Sequence, residues 1–284
     1  MGRRRRGVPF AKGQKFCIFC GGPGLSKTHI WPKWLNELLS PPGAHLIDLR
    51  RPEHLGQKSE TYSRQGSVFS QKPYLACEVC NGALGALEDE MKSFAPPLFS
   101  TSGAKAKLTA AQQSTMAGWI SLITVLAEHI DKSKASLTIP ERDVRYLKEH
   151  RVPPPEWTVC LTSVEGTRWT ARYRHHTRYI GQFTSEAHFW DSLRPGVKGN
   201  TQISPFGIGK LFFQVFTCPD PRFVSDYRRA AEIAKLGQIW PIEKRLWITR
   251  TIRFPTDLVL TDETADTLAD AYSDRIRELT DLSA

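Results

Sequence analysis

The longest regular pattern of apolar and polar positions lies mid-chain. Over 108–150, Met116, Trp119, Ile120, Ile123, Leu126, Ala127 and Ile130 recur at spacings of three and four, the period that lines one face of a helix. Pro153-Pro154-Pro155 then stops helix, since proline lacks the N–H and clashes with the preceding turn. Beyond it the period shortens. Residues 157–164 and 168–174 read as strands, and Glu165-Gly166-Thr167 between them reads as a hairpin turn. Residues 208–216 and 246–254 are further strand candidates. At the end, Leu268, Tyr272, Ile276 and Leu279 share one face of a predicted amphipathic helix over 262–280.

Before residue 100 the periodic runs are short. Pro32 suits a first helical turn, and Trp31, Trp34, Leu35 and Leu38 give that helix an apolar face until Ser40-Pro41-Pro42-Gly43 ends it. A second helix opens near Asn81, with Leu84, Leu87, Met91 and Phe94 as its stripe. The pattern predicts an α+β protein in two parts. A module spans 1–100, and an α+β domain spans 101–284, helical over 108–150 and mainly β, as an antiparallel sheet, over 156–255.

Composition sharpens this picture in two ways. Hydrophobic residues make up 40% of the 284 residues, enough for a sizeable core, and no run approaches a membrane span. The start, Met1-Gly2-Arg3-Arg4-Arg5-Arg6, carries no apolar stretch of secretory type, so a cytoplasmic protein is expected. The formal net charge is +10 and the pI about 9.4, which favours a polyanionic partner. Before Glu37 the chain holds Arg3, Arg4, Arg5, Arg6, Lys12, Lys15, Lys27 and Lys33 with no acidic residue. Such an arm, joined to a cysteine-rich module, is suited to gripping phosphates, although a solvated tail has the same composition.

Six cysteines are present. Cys160 and Cys218 stand alone in apolar runs and read as small buried hydrophobes. The other four form Cys17-Ile18-Phe19-Cys20, followed by Gly21-Gly22, and Cys77-Glu78-Val79-Cys80. Two residues between cysteines let both thiolates of a knuckle reach one ion, and two knuckles complete a tetrahedral site, so a structural zinc is expected. A redox dithiol is the competing reading, disfavoured because neither motif follows a strand in a βαβ setting.

Between the knuckles, His29 immediately precedes the first short helix, and Asn81 directly follows Cys80. Cys-x-x-Cys, His29-Ile30-x-Pro32-x-Trp34-Leu35 and Cys-x-x-Cys-Asn81, with Leu87-Glu88 further along, resemble the HNH endonuclease superfamily, in particular bacterial proteins with a zinc-stabilised ββα-metal module. The resemblance covers 17–94. Ile208-Gly209-Lys210-Leu211-Phe212-Phe213-Gln214-Val215 and Gln238-Ile239-Trp240-Pro241 are only faintly similar to the same proteins. It implies that His29 is a general base activating water, that Asn81 helps hold a catalytic Mg²⁺ or Mn²⁺, and that the four cysteines are scaffold. The substrate would be DNA.

Two departures stand out. The position before the histidine, acidic in most HNH motifs, is Thr28, and a neutral hydroxyl is a poor ligand for Mg²⁺. The motif's middle asparagine has no counterpart over 50–76. Those departures keep a non-catalytic, zinc-containing nucleic-acid-binding protein as the alternative, with a zinc protein whose C-terminal region binds another protein as a third reading. His29 beside tryptophans and Asn81 after a knuckle also have structural readings, as a packing residue and a helix cap. Glu88, two turns beyond Asn81, is expected to pair with an arginine. His45, Asp48 and His54 have too irregular a spacing to complete a metal site. Further on, Arg168, Arg172 and Arg174 share one strand face with Trp169, Ala171 and Tyr173 on the other. That face can track a phosphate backbone, or it is the solvated side of a half-buried strand.

Overall fold

The structure is a computed structural model that describes residues 16–39, 46–50, 61–65, 69, 71–100, 106–129, 137–167, 171–174, 176–178, 199–242, 252–254 and 259–269. Arg3, Arg4, Arg5, Arg6, His45, His54 and Arg168 lie outside them, as do 246–251 and 270–280 of the expected elements.

The chain is mixed α+β. Its first hundred residues hold β1 (Leu25–Lys27), α1 (Lys33–Leu39), β2 (Leu46–Arg50), β3 (Thr61–Gln65), β4 (Tyr74–Cys77), α2 (Glu78–Lys92) and α3 (Pro96–Ser100). Then come β5 (Ala106–Leu108), α4 (Ala110–Glu128), α5 (Glu141–His150), β6 (Thr158–Val164), β7 (Ala171–Tyr173), β8 (His176–Arg178), β9 (Thr201–Ile208) and β10 (Leu211–Thr217). The order closes with α6 (Pro221–Ile233), β11 (Gly237–Trp240), β12 (Ile252–Phe254), β13 (Val259–Leu260) and a last helix over 262–269.

A seven-stranded sheet in the order β11-β6-β10-β9-β7 forms the centre, with β13 also on β6 and β8 also on β9. Its pairings are antiparallel except β13 with β6, which is parallel. Alternation along the strands sends side chains to both faces, and both are covered. Val159, Leu161, Phe213 and Val215 join the cluster around Trp119 of α4. On the other face, Cys160 and Phe216 pack with Val224 and Tyr227 of α6, and Phe212 and Val164 pack with Ala265 and Ala269 of the last helix. Cys160 and Cys218 are buried, as expected of small hydrophobes.

Two sequence expectations are corrected. The 208–216 strand is broken after Ile208 by a turn at Gly209-Lys210. Gly209 has φ +59 there, and a Cβ would sit 2.1 Å from the Phe99 carbonyl oxygen, so only glycine fits. The 157–164 and 168–174 strands are not a hairpin, because β7 pairs with β9 and not β6. The edges of β6 are already taken by β10 on one side and by β11 and β13 on the other. Glu165 N–H donates to the Leu260 carbonyl and Thr167 N–H to Asp262 Oδ2, which carries the chain away from its expected partner.

The periodic stretch after 108 divides into α4 and α5. Thr109 caps α4 reciprocally with Gln112, a capping box. Helix α4 is buried on nearly all sides, and Glu128 at its end is itself buried. Its carboxyl oxygen accepts the Thr138 N–H and the Ile139 N–H at 3.1 Å, with the Thr138 hydroxyl 2.9 Å away, so the buried polar group is met by donors. No helix among the described residues is long and apolar enough to cross a membrane.

One apolar cluster runs without a break from Cys17, Phe19 and Ile30 through Leu84, Leu87 and Met91 to α4 and the sheet. Trp34, Phe99 and Trp119 stack across it at centroid distances of 5.9–6.1 Å, and Trp31 meets Phe206 of β9 edge-on at 6.3 Å. The cysteine-rich stretch is therefore seated on the sheet side of the molecule by its tryptophans.

Candidate functional site

The four cysteines of the two knuckles come together. The sulfurs of Cys17, Cys20, Cys77 and Cys80 all lie within 4.8 Å of one another, the one grouping of its kind among the described residues. Cys20 and Cys77 sulfurs are 3.7 Å apart, too far for a disulfide and close to the ~3.8 Å edge of a tetrahedron with metal–sulfur bonds of ~2.3 Å. The first knuckle is a tight turn in which Gly21 N–H donates to the Cys17 carbonyl and Cys17 N–H to the Gly22 carbonyl, both at 2.8 Å. Gly21 has φ +70, the left-handed conformation the turn requires. Gly22 N–H points at the Cys20 sulfur, 3.4 Å away.

The thiols differ electrostatically. Burial pushes the Cys17 thiol up, but backbone N–H groups of Cys77, Phe19 and Cys20 outweigh it and bring it down to about 7. Cys80 is raised, by burial first and then by the thiols of Cys77, Cys20 and Cys17 around it. Four thiolates so close repel one another, and a cation among them removes that cost. The residues fit a metal ion, held with no open position.

The second knuckle is built into secondary structure. Cys77 ends β4 and Cys80 lies in the first turn of α2, so this motif does follow a strand into a helix, contrary to the sequence reading, although β4 pairs antiparallel with β1 and not within a βαβ unit. Strand β4 pairs antiparallel with β1, with Leu25 opposite Cys77, Ser26 opposite Ala76 and Lys27 opposite Tyr74. The register slips by one residue at Leu75, a β-bulge. Leu75 accepts the Ile18 N–H at 3.0 Å, which ties the first knuckle to the bulge. Together β1, β4 and α2 make a two-stranded ribbon followed by a helix.

His29 sits where the chain leaves β1. Thr28 N–H donates to the Pro73 carbonyl at 2.9 Å and Ile30 N–H to the Gln71 carbonyl at 3.5 Å, so the pairing continues past β1 and sets His29 opposite Lys72. The imidazole Nδ1 is buried with no hydrogen-bond partner among the described residues. Its pKa is lowered from the ordinary histidine value, by burial first and then by the charges of Lys72 and Lys33, against a hydrogen bond to the Trp31 backbone that favours the cation. Burial and the two nearby ammonium groups both favour the neutral ring.

Thr28 and Asn81 are already engaged. Thr28 is buried, and its hydroxyl accepts the Ala76 N–H at 3.2 Å. Asn81 donates its side-chain amide to Ser26 Oγ at 3.3 Å and to the Lys27 carbonyl at 3.2 Å. The first turn of α2 is thus buttoned onto β1. Glu88 has no arginine partner among the described residues, contrary to expectation. Arg151 pairs instead with Glu90, one half-turn on, at 2.9 Å. Burial, followed by the charge of Asp89, raises the Glu88 carboxyl to about 7.

The second basic surface is partly neutralised. Arg172 and Arg174 both reach Asp266 Oδ1 of the last helix, at 3.2 and 3.0 Å. Lys27 and Lys33 are exposed. Sequence reasoning passed over Lys72 and Tyr74, which the ribbon places beside His29 and Lys27. Gln71-Lys72-Pro73-Tyr74 shows no polar–apolar alternation, so the sequence carries no strand signal there and the stretch reads as loop.

Comparison with protein-family models, curated proteins and solved structures finds no match to this chain.

Proposed function

We propose that this chain is a zinc-stabilised hydrolase of phosphodiester bonds of the HNH type, with His29 as general base and DNA as its expected substrate. The observation that carries this reading is the neutral His29 at the end of β1, opposite Lys72 and near Lys33, on a ribbon-plus-helix unit pinned by four cysteines. Zinc is the ion of choice for four thiolates from two Cys-x-x-Cys knuckles, and its part is to fix the unit's shape. A neutral imidazole can take the proton of an attacking water. Lys33 and Lys72 compensate the charge that grows on the phosphate.

A catalytic Mg²⁺ or Mn²⁺ does not fit the described residues. Such ions are held by carboxylate and phosphate oxygens, whereas the Thr28 hydroxyl is buried on the Ala76 N–H. Apart from the four cysteines, no grouping of three or more His, Cys, Asp or Glu residues is found among the described residues. No step is therefore assigned to a second metal.

That same Thr28 supports a second reading, a binding module that no longer cleaves. The experiment that separates the two is incubation of supercoiled plasmid with purified protein, with and without Mg²⁺ or Mn²⁺, beside His29→Ala. Nicking by the parent alone carries the first reading. No nicking of plasmid, and no cleavage of single-stranded DNA or RNA, leaves the second.

A further inference from the structure

Four side chains share the outer face of the ribbon formed by β1 and β4. Lys27 stands opposite Tyr74. His29 and Lys72 face each other between the two backbone hydrogen bonds made by Thr28 and Ile30, in the non-bonded position where side chains approach most closely. Opposed residues point to the same face and their neighbours to the other, and exposure follows that rule. Thr28, Ile30, Gln71 and Pro73 are buried, Lys27 and Tyr74 are exposed, and His29 and Lys72 are half-buried. The outcome is a two-by-two patch with the lysines on one diagonal and the two rings on the other. Diagonal neighbours at ~7–8 Å are within reach of long side chains.

Tyr74 is an unusual residue to leave in water. It is 51% exposed, and no ring, hydrogen bond or ion pair among the described residues engages it. Along the two strands that carry it, the charge is of one sign. No acidic residue occurs over 16–36 or 69–77, and Glu78 lies past Cys77, at the far end of the ribbon from Lys72. An exposed aromatic ring flanked by cations on a pleated surface is the combination that takes up an unpaired base and its phosphates.

We propose that this face binds single-stranded nucleic acid, one unpaired base stacking on Tyr74 and the neighbouring phosphates resting on Lys27 and Lys72. This rests on the nucleic-acid reading of His29 and narrows the substrate to unpaired strand. In a duplex both faces of every base are covered by its neighbours, so Tyr74 has nothing to stack on. Lysines hold a backbone of any sequence. The arrangement sets a phosphate beside His29 while the base next to it is anchored.

The test is fluorescence anisotropy with the full-length His29→Ala protein, which cannot degrade the probe. The probes are labelled oligothymidylate, labelled oligouridylate, and the thymidylate strand annealed to its oligoadenylate complement. We expect one or both single strands to bind more tightly than the duplex, the preferred one identifying DNA or RNA. Tyr74→Ala weakens single-strand binding by about 5- to 150-fold, the size of one base–aromatic stack, and Tyr74→Phe retains it. Joint Lys27→Gln and Lys72→Gln flattens the salt dependence by about 1.4 in log–log slope, as for two phosphate contacts on a single strand. Equal affinity for duplex and single strand, or indifference to Tyr74→Ala with the metal content intact, overturns the proposal. Tyr74-dependent binding with no cleavage by the parent protein leaves it standing and defeats the hydrolase reading. Cleavage with binding indifferent to Tyr74 does the reverse.

Discussion

Asn81 and Lys27 are joined by a hydrogen bond from the asparagine amide nitrogen to the lysine's backbone carbonyl, 3.2 Å long. With its companion bond to Ser26 Oγ, it makes Asn81 a donor toward β1. A metal ligand at this position would need only oxygen, so the two roles separate on one substitution. Asn81→Asp keeps an oxygen ligand and removes both donated hydrogens. We expect it to lose about 1–2 kcal/mol of stability and to impair nucleic-acid cleavage, as Asn81→Ala does. Chemical denaturation beside the plasmid assay checks this, and an Asp variant with full stability and enhanced divalent-metal response would contradict it.

The four-cysteine site makes a separate demand. Elemental analysis of purified protein should find zinc at one ion per chain, and Cys80→Ser should lose it together with the cooperative melting of the cysteine-rich unit. Zinc sites of this kind contribute on the order of 10 kcal/mol to the folding of small modules, so a variant that retains the parent melting temperature without metal would refute a scaffold role.

The proposed activity would take a directional pH dependence from His29. Its pKa lies below the ordinary 6.5, so the neutral base persists to lower pH and the acidic limb of the rate profile falls below pH 6.5. Removing a neighbouring charge with Lys72→Met relaxes the depression, and the limb moves to higher pH. A profile whose acidic limb stays put in that variant would show that the lysine does not act on His29. His29→Ala itself should lower the rate by about 10²–10⁴-fold, the usual contribution of a positioned base.

Glu88 is a stability switch of opposite sign. Its folded pKa is raised to about 7 from the ordinary 4.5. Below 4.5 the carboxyl is protonated in both folded and unfolded chains and costs nothing. Between 4.5 and 7 the folded state holds on to the proton, and stability falls as pH rises through that window. The full difference corresponds to about 3 kcal/mol, and water access reduces it. Glu88→Gln should therefore stabilise the protein by about 1–3 kcal/mol at pH 8 and leave it unchanged at pH 4. Urea titrations at the two pH values read this directly.

Arg172 and Arg174 are expected to report on folding and not on binding. Both share Asp266 Oδ1, and all three side chains are less than a third exposed. Asp266→Asn removes a counter-charge that two half-buried guanidinium groups share and should cost about 1–3 kcal/mol. Joint Arg172→Gln and Arg174→Gln should leave the salt dependence of oligonucleotide binding as it was. A flatter slope would return these arginines to the phosphate-binding surface.

The sequence announced those features that depend on spacing along a single element. Two Cys-x-x-Cys knuckles have one geometric solution around an ion, so Cys17, Cys20, Cys77 and Cys80 were legible from the chain alone. The apolar period of α4 and the interruption at Pro153 were equally plain. What escaped depends on pairing between distant segments. Glu165-Gly166-Thr167 has the composition of a hairpin turn, yet the edges of β6 are claimed by β10, β11 and β13, none of which is its neighbour in sequence. The outer face of the ribbon was hidden by the bulge. Counting back from Cys77 by strict alternation would put Leu75 outside and Tyr74 inside, and the extra residue reverses both. The arginine expected for Glu88 was likewise decided by where α5 happens to end, with Arg151 falling next to Glu90.

The burial of α4 on nearly all sides bears on how the protein can be taken apart. One flank of that helix meets α2 and the Trp34–Phe99 stack, and the other meets the sheet. A backbone cut between Ser100 and Ala106 would thus give two pieces with matching apolar surfaces, each insoluble by itself. Produced together they should recombine without a covalent link, a natural split protein whose reassembly is reported by burial of Trp119.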